Sequence, residues 1–292
     1  MRTVVLGASG MLGHQLWRHL SSSRIETFGV IRKTRSACRH GGLFNSDRLI
    51  ENVDASNFND LRKVLENIKP EYVLNCIGIT KRRVNSDNVA ECIRMNALLP
   101  HELVGWGGYI GYKVINFSTD CVFDGKQGDY TEDSPTSPGD LYGRTKALGE
   151  LTSDKVLTIR SSFIGPELYD GTELFEWFIS RRGIVNGYTN AIYSGLTTLE
   201  LSRIIEMMLI AHPDSSGLYN ISSEPISKFA LLEKIMQHMA LPIELVPDGA
   251  FKCDRSLNSQ RFRNEYNYQP PSWNEMVAEL TTYMQQRKED DF

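Results

Sequence analysis

The sequence predicts an α/β fold built on a doubly wound parallel sheet with a smaller mixed α/β lobe, and three observations carry that prediction. Short apolar, β-branched runs alternate with helical patterns through the first half of the 292 residues, the rhythm of a parallel sheet covered on both faces. Gly7-Ala8-Ser9-Gly10-Met11-Leu12-Gly13 stands between the first strand and the first helix, which marks the sheet as Rossmann-type. Past Ile164 the rhythm loosens, and Gly165-Pro166 turns the chain into a second lobe. The expected division is a NAD(P)-binding domain over 1–164 and a substrate-binding lobe over 165–292, with part of 190–222 returning to the sheet. A chain of this length can hold both.

The first unit explains the glycines. Thr3-Val4-Val5-Leu6 reads as a buried strand, and Met11 to Leu20 as a helix with Leu12, Leu16 and Leu20 on one face. A strand, a tight glycine turn and a helix N-terminus bring backbone N–H groups to a pyrophosphate, where the helix dipole favours negative charge. Gly7, Ser9, Gly10, Met11, Leu12 and Gly13 are therefore cofactor candidates. Their spacing is G-x-x-G-x-x-G, and a glycine turn without a ligand stays as the alternative.

The second strand, Thr27 to Ile31, ends where an NAD enzyme places an acidic residue for the ribose 2′-hydroxyl. Here the chain continues Arg32-Lys33-Thr34-Arg35. Cations at that corner suit a 2′-phosphate, so NADPH is expected, with NADH as the alternative and a solvated basic loop as the plain reading. Asp54-Ala55 follows the third strand and is placed beside the adenine. Val73 to Gly78 is the fourth strand, whose Cys76, Ile77 and Gly78 face the cofactor; ordinary strand-end structure is the alternative for both segments.

Lys113 to Phe117 reads as the fifth strand, so Ser118 and Thr119 emerge at its carboxyl end, where open parallel sheets bind ligands. Tyr142 and Lys146 stand at i and i+4, on one face of a helix expected to start at Ser137-Pro138. A neighbouring ammonium lowers a phenol that ordinarily ionises near ~10. The tyrosine can then protonate a carbonyl oxygen as hydride reaches its carbon, while Thr119 hydrogen-bonds the same oxygen. Tyr109 and Lys113 match the same Y-x-x-x-K spacing, but precede the fifth strand and are read as accidental.

The remaining features set bounds. Net charge is −4, which argues against a nucleic-acid groove. Arg181-Arg182 and Arg255 either meet a substrate diphosphate or are surface charges. Five scattered cysteines suggest a reducing compartment and no metal cluster. The first strand's start at Thr3 leaves no room for a signal peptide, and no apolar run is long enough to span a membrane, so a cytoplasmic location without membrane partners is expected. Thr197–Ala211, Ser227–Met239 and Ser272–Gln286 read as helices, and Gly217–Ile221 as a late strand. A homodimer stays open.

These residues resemble those of an extended short-chain dehydrogenase/reductase, and within that group the dTDP-4-dehydrorhamnose reductase family. The resemblance rests on the Gly7–Gly13 loop, Ser118 to Gly125, Tyr130 to Asp133, Leu141 to Glu150, Thr158 to Ser162, Gly217 to Asn220 and Pro271-Ser272-Trp273. It runs almost end to end. It implies Thr119, Tyr142 and Lys146 as a catalytic triad, Tyr142 and Lys146 also touching the cofactor. It further implies reduction of the C4 ketone of a nucleotide-linked 4-keto-6-deoxyhexose in polysaccharide precursor synthesis.

Three positions depart from the family's pattern: Cys121 replaces a tyrosine, Asn75-Cys76-Ile77 replaces Asn-Ala-Ala, and Phe163 replaces a tryptophan. All three lie on or near the expected pocket, and Cys121 and Phe163, with Asp120 and Arg255, are placed on the substrate side. The departures are similar to reductases of UDP-linked 2-acetamido-6-deoxy sugars. Cys121 also resembles the epimerising cysteine of GDP-fucose synthase. The chain has no histidine between His101 and His212 to partner it. A 4,6-dehydratase would need a glutamate where Cys121 stands. A non-catalytic NADP-binding regulatory subunit is the reading from another class; the retained Tyr142 and Lys146 favour an enzyme.

Overall fold

The computed structural model describes residues 1–37, 46–169 and 171–290. The first half alternates as the sequence predicts: β1 (Arg2–Leu6), α1 (Met11–Ser21), β2 (Glu26–Val30), β3 (Leu49–Ile50), α2 (Phe58–Ile68) and β4 (Tyr72–Asn75). Next come α3 (Val89–Cys92), a π-helical stretch Ile93–Leu98, α4 (Leu99–Ile110), β5 (Lys113–Phe117), α5 (Leu141–Leu148) and β6 (Val156–Arg160). The second half has shorter elements: β7 (Phe163–Ile164), α6 (Leu174–Ile179), β8 (Gly183–Tyr188), β9 (Ala191–Tyr193), β10 (Leu196–Thr197), α7 (Thr198–Ala211) and β11 (Gly217–Asn220). It ends with β12 (Ile226–Ser227), α8 (Lys228–His238), β13 (Ile243–Asp248), β14 (Cys253–Asp254), α9 (Gln260–Tyr266) and α10 (Trp273–Asp290).

Among the described residues, seven strands form one parallel sheet in the order β11-β6-β5-β4-β1-β2-β3. The chain reverses direction across the sheet between β1 and β4, which opens a crevice at their carboxyl ends. Side chains alternate faces along each strand. Val5, Leu74 and Ile115 therefore join Leu12, Leu16 and Leu20 of α1 on one side. Val4, Val73 and Val114 meet Leu61, Leu65 and Leu103 on the other. The strand Gly217–Asn220 pairs with β6 far from its sequence neighbours. The smaller pairings β7·β10, β12·β9·β14 and β8·β13 lie outside the main sheet.

The glycine turn is dictated by close approach. Gly7 has φ +73°, and a Cβ there would sit 3.1 Å from Ile77 Cγ1. The N–H groups of Gly7 and Ala8 both donate to the Val30 carbonyl, at 3.1 and 3.0 Å. A Cβ on Gly13 would overlap the Gly7 carbonyl, so α1 can start against the turn only with glycine there.

Two expected boundaries change. The helix expected at Ser137-Pro138 begins at Leu141, because Asp140 supplies the cap: its Oδ1 accepts from Gly143 N at 2.8 Å. Ser137 instead accepts from Asp124 N at 3.3 Å. The fourth strand ends at Asn75, and Cys76-Ile77-Gly78 leave the sheet with Cys76 N still donating to the Leu6 carbonyl at 3.1 Å.

Gly13→Ala should therefore lower stability by about 1–3 kcal/mol in urea unfolding, through the forced shift of α1. Gly105→Ala in α4, where a Cβ meets nothing within 4 Å, should raise it by up to about 1 kcal/mol.

Candidate active site

A cavity of about 570 Å³ opens at the carboxyl ends of β4 and β5. Gly10, Met11 and Leu12 border it from the glycine turn, and Cys76, Ile77 and Gly78 from the end of β4. Thr119, Tyr142 and Lys146 line it, and the surface they form is its floor; Asp120, Cys121, Phe163 and Arg255 line it too. Residues separated by more than a hundred positions thus share one space.

The floor is built by β5 and α5. Thr119 leaves the strand extended, donates from Oγ1 to Asp120 Oδ1 at 3.2 Å and accepts from Cys121 N at 3.2 Å. Gly143 lets α5 lie against this segment, since a Cβ there would overlap the Cys121 carbonyl. Lys146 is buried, and its Nζ donates to the Phe117 carbonyl at 2.5 Å. Burial pulls its ammonium down to about 8, with the Glu150 carboxylate acting against that fall. The order of pH effects at Tyr142 differs from the sequence expectation. Burial, with Cys121, Asp120 and Glu173, pushes the phenol up, and a Thr119 hydrogen bond only partly opposes this. Tyr142 is therefore neutral and carries its proton.

The glycine turn fits a dinucleotide. Gly10 caps α1 with no side-chain bond, so the first-turn N–H groups are left for an anion. Gly7, Ser9 and Gly13 shape that turn and do not line the cavity. Arg32 and Lys33 stand exposed past the end of β2, and Lys33 Nζ lies 5.8 Å from the Tyr169 ring centroid. Arg35 is held by Glu51 at 2.6 Å. Asp54 is exposed beside Arg32, whose charge helps hold its carboxyl low after hydrogen bonds from Ser56; Ala55 is buried.

Residues 1–164, more than half of the chain, match the family model described as RmlD substrate binding domain. The chain belongs to this family. The family is of the extended short-chain dehydrogenase/reductase type. The chain is similar to the spore coat polysaccharide biosynthesis protein SpsK of Bacillus subtilis, 25% identical over 98% of each chain. It also resembles methionine adenosyltransferase 2 subunit beta of Mus musculus, 26% identical over 51% of this chain and 41% of that one. A crystal structure of dTDP-4-dehydrorhamnose reductase from Bacillus anthracis in complex with NADP superposes with TM-score 0.80 at 21% identity. That overlay covers 97% of this chain and 99% of the other.

In this RmlD-family chain the distal half reaches back to the segment after β5. Arg255 Nε donates to the Phe123 carbonyl at 2.8 Å, and Nη1 lies 3.7 Å from Cys121 Sγ. Burial and Asp120 push the Cys121 thiol up to about 12 against the pull of Arg255. Arg181 instead covers the Trp177 ring at 5.0 Å, and neither Arg181 nor Arg182 lines the cavity.

Sequence reasoning missed several residues. Lys81 lines the cavity and pairs with the α5 cap Asp140 at 2.7 Å. Asn96, on the π-helical stretch, accepts from Ile79 N at 2.8 Å and donates to Thr145 Oγ1 at 3.1 Å, tying α5 to the loop after β4. Tyr193 of β9 also lines the cavity. None carries a local motif; only Glu150, four places after Lys146, could have been picked out by spacing. Among the described residues no helix is long and apolar enough to cross a membrane.

The depressed Lys146 sets a pH signature. Between about 8 and 10.5 the unfolded chain binds a proton that the folded chain has released, so this burial penalty is full below pH 8 and fades as pH rises. The stability of Lys146→Met relative to wild type should therefore fall by about 1–3 kcal/mol from pH 8 to pH 10.5, measured by urea unfolding.

Proposed function

We propose that this chain is an NADPH-dependent reductase of the C4 ketone of a nucleotide-linked 4-keto-6-deoxyhexose. Either dTDP-4-dehydrorhamnose or a UDP-linked 2-acetamido-6-deoxy analogue is the substrate, in polysaccharide precursor synthesis. The observation that carries this reading is Thr119, Tyr142 and Lys146 facing one cavity beside the glycine turn. Its closeness to the SpsK protein and to the NADP-bound reductase fold supports it.

In this reading residues 1–164 hold the cofactor and 165–292 supply the outer substrate wall. Bound NADPH supplies the hydride. Gly10, Met11 and Leu12 hold its pyrophosphate, and Arg32 and Lys33 its 2′-phosphate. Thr119 hydrogen-bonds the ketone oxygen. Neutral Tyr142 gives that oxygen its proton, and the Lys146 ammonium, mostly charged at pH 7, stabilises the phenolate left behind. Asp120, Cys121, Phe163 and Arg255 contact the sugar and its diphosphate. A thiol pushed up to about 12 stays protonated at neutral pH and offers no thiolate to act as base, which favours reduction without epimerisation.

One rival has a specific observation behind it. The similarity to methionine adenosyltransferase 2 subunit beta favours a regulatory subunit that binds NADP without turnover. Turnover of UDP- and dTDP-linked 4-keto-6-deoxy sugars, followed by NADPH absorbance, separates the two; tight NADPH binding with no consumption of any such sugar overturns the reductase. Tyr142→Phe should lose about 10²–10⁴-fold in kcat and keep NADPH affinity. Arg32→Ala with Lys33→Ala should raise the KM for NADPH roughly tenfold or more and leave NADH unchanged in the same assay.

A further inference from the structure

The cavity is bordered by a short run of chain whose outer end the proposed chemistry leaves without a role. Phe251, Cys253 and Arg255 all line the cavity, the period-two spacing of side chains on one face of a strand. Their segment includes β14, which pairs with β9 through Cys253 and Asp254. The Arg255 end is fixed in place. Asp254 N donates to the Gly125 carbonyl at 2.7 Å, Arg255 Nε to the Phe123 carbonyl at 2.8 Å, and Arg255 Nη1 lies 3.7 Å from Cys121 Sγ. This end therefore adjoins the segment that carries Thr119.

The Phe251 end is open to solvent. Phe251 is 49% exposed, and its ring centroid lies 5.2 Å from that of Tyr188, itself 40% exposed at the end of β8. Apolar rings left in water at the edge of a cavity mark a place for a partner that covers them. The neighbouring charges say which kind. Lys81 and Arg82 line the cavity but are engaged by Asp140 and Glu173. Lys228, the first residue of α8, and Arg255 line it without an ion pair among the described residues, and so are available to phosphate oxygens. Four residues of chain carry Phe251 at most about 14 Å from Arg255. The order along this run is aromatic ring, cation, reacting hydroxyl. A nucleoside diphosphate sugar has the matching order of base, diphosphate and sugar.

Resting on the reading of the substrate as a nucleotide-linked sugar, we propose that Phe251, backed by Tyr188, is the platform on which the substrate's base stacks, with Arg255 and Lys228 holding the diphosphate. Uracil and thymine both offer a π-face to such a ring, so the platform takes either base. The choice between substrates then falls to the sugar end.

The test is calorimetric titration of UDP and of dTDP into the full chain saturated with NADPH, for wild type, Phe251→Leu, Phe251→Trp and Lys228→Ala. Phe251→Leu should raise both Kd values roughly tenfold or more, while Phe251→Trp should stay within about threefold of wild type. Lys228→Ala should weaken both roughly fivefold or more, and no change there overturns its part in the site. Several results overturn the platform: wild type binding neither compound, an unchanged Kd in Phe251→Leu, a loss confined to one base, or a loss that Phe251→Trp does not restore. An equal loss of NADPH affinity in Phe251→Leu also overturns it, since the ring would then support the fold and not the base. Ketosugar turnover is followed in parallel. Phe251-dependent binding with no turnover by wild type upholds the platform and overturns the reductase reading. Turnover by wild type with binding indifferent to Phe251 does the reverse.

Discussion

Everything at the cavity floor depends on α5 lying almost in contact with the chain that leaves β5. A Cβ at Gly143 would overlap the Cys121 carbonyl, so the helix approaches closely because one residue between Tyr142 and Lys146 has no side chain. That approach puts the Tyr142 phenol against Thr119 and Lys146 Nζ on the Phe117 carbonyl. The helix is only eight residues long, too short to hold its place by its own stability. Both its ends are tied down: Asp140 caps the first turn while pairing with Lys81, and Glu150 binds Arg160 just past the last.

The electrostatics of the floor suit a group that gives a proton away. Burial raises Tyr142 and Cys121 and lowers Lys146, each toward its neutral form. Glu150 resists the effect at Lys146, so that ammonium is mostly charged at neutral pH. A proton-bearing phenol with a nearby cation is ready to become a phenolate once its proton has gone. At Cys121 the pull of Arg255 does not overcome burial and Asp120, and the thiol rises. Past the end of β2 the cations Arg32 and Lys33 are exposed, where solvent screens them.

Much of the fold was legible because its signals are local. Val4 and Val5 point to opposite faces of a sheet, and Leu12, Leu16 and Leu20 to one face of a helix, whatever lies elsewhere in the chain. The order of the glycine turn, Ser118-Thr119 and Tyr142 to Lys146 told which ends of which strands would meet. The Ser137-Pro138 helix start was misplaced because Asp140 offers a better cap that also carries charge to a helix N-terminus and a partner in Lys81. Lys81, Asn96 and Tyr193 escaped notice since a loop lysine, a helical asparagine and a strand tyrosine are each ordinary in their local setting.

The sequence by itself determined the parallel sheet, the glycine turn with its room for a dinucleotide, and the i, i+4 pairing of Tyr142 with Lys146. These follow from backbone geometry and periodicity within a few residues. Only the tertiary structure decided that Arg255 meets Cys121 across 134 positions of chain, that Arg160 and Ser118 share the Glu150 carboxylate, and that burial pushes the Tyr142 phenol up. Proton affinities and charge pairings are set by burial and by what packs alongside. That packing depends on contacts between segments whose meeting no local pattern encodes.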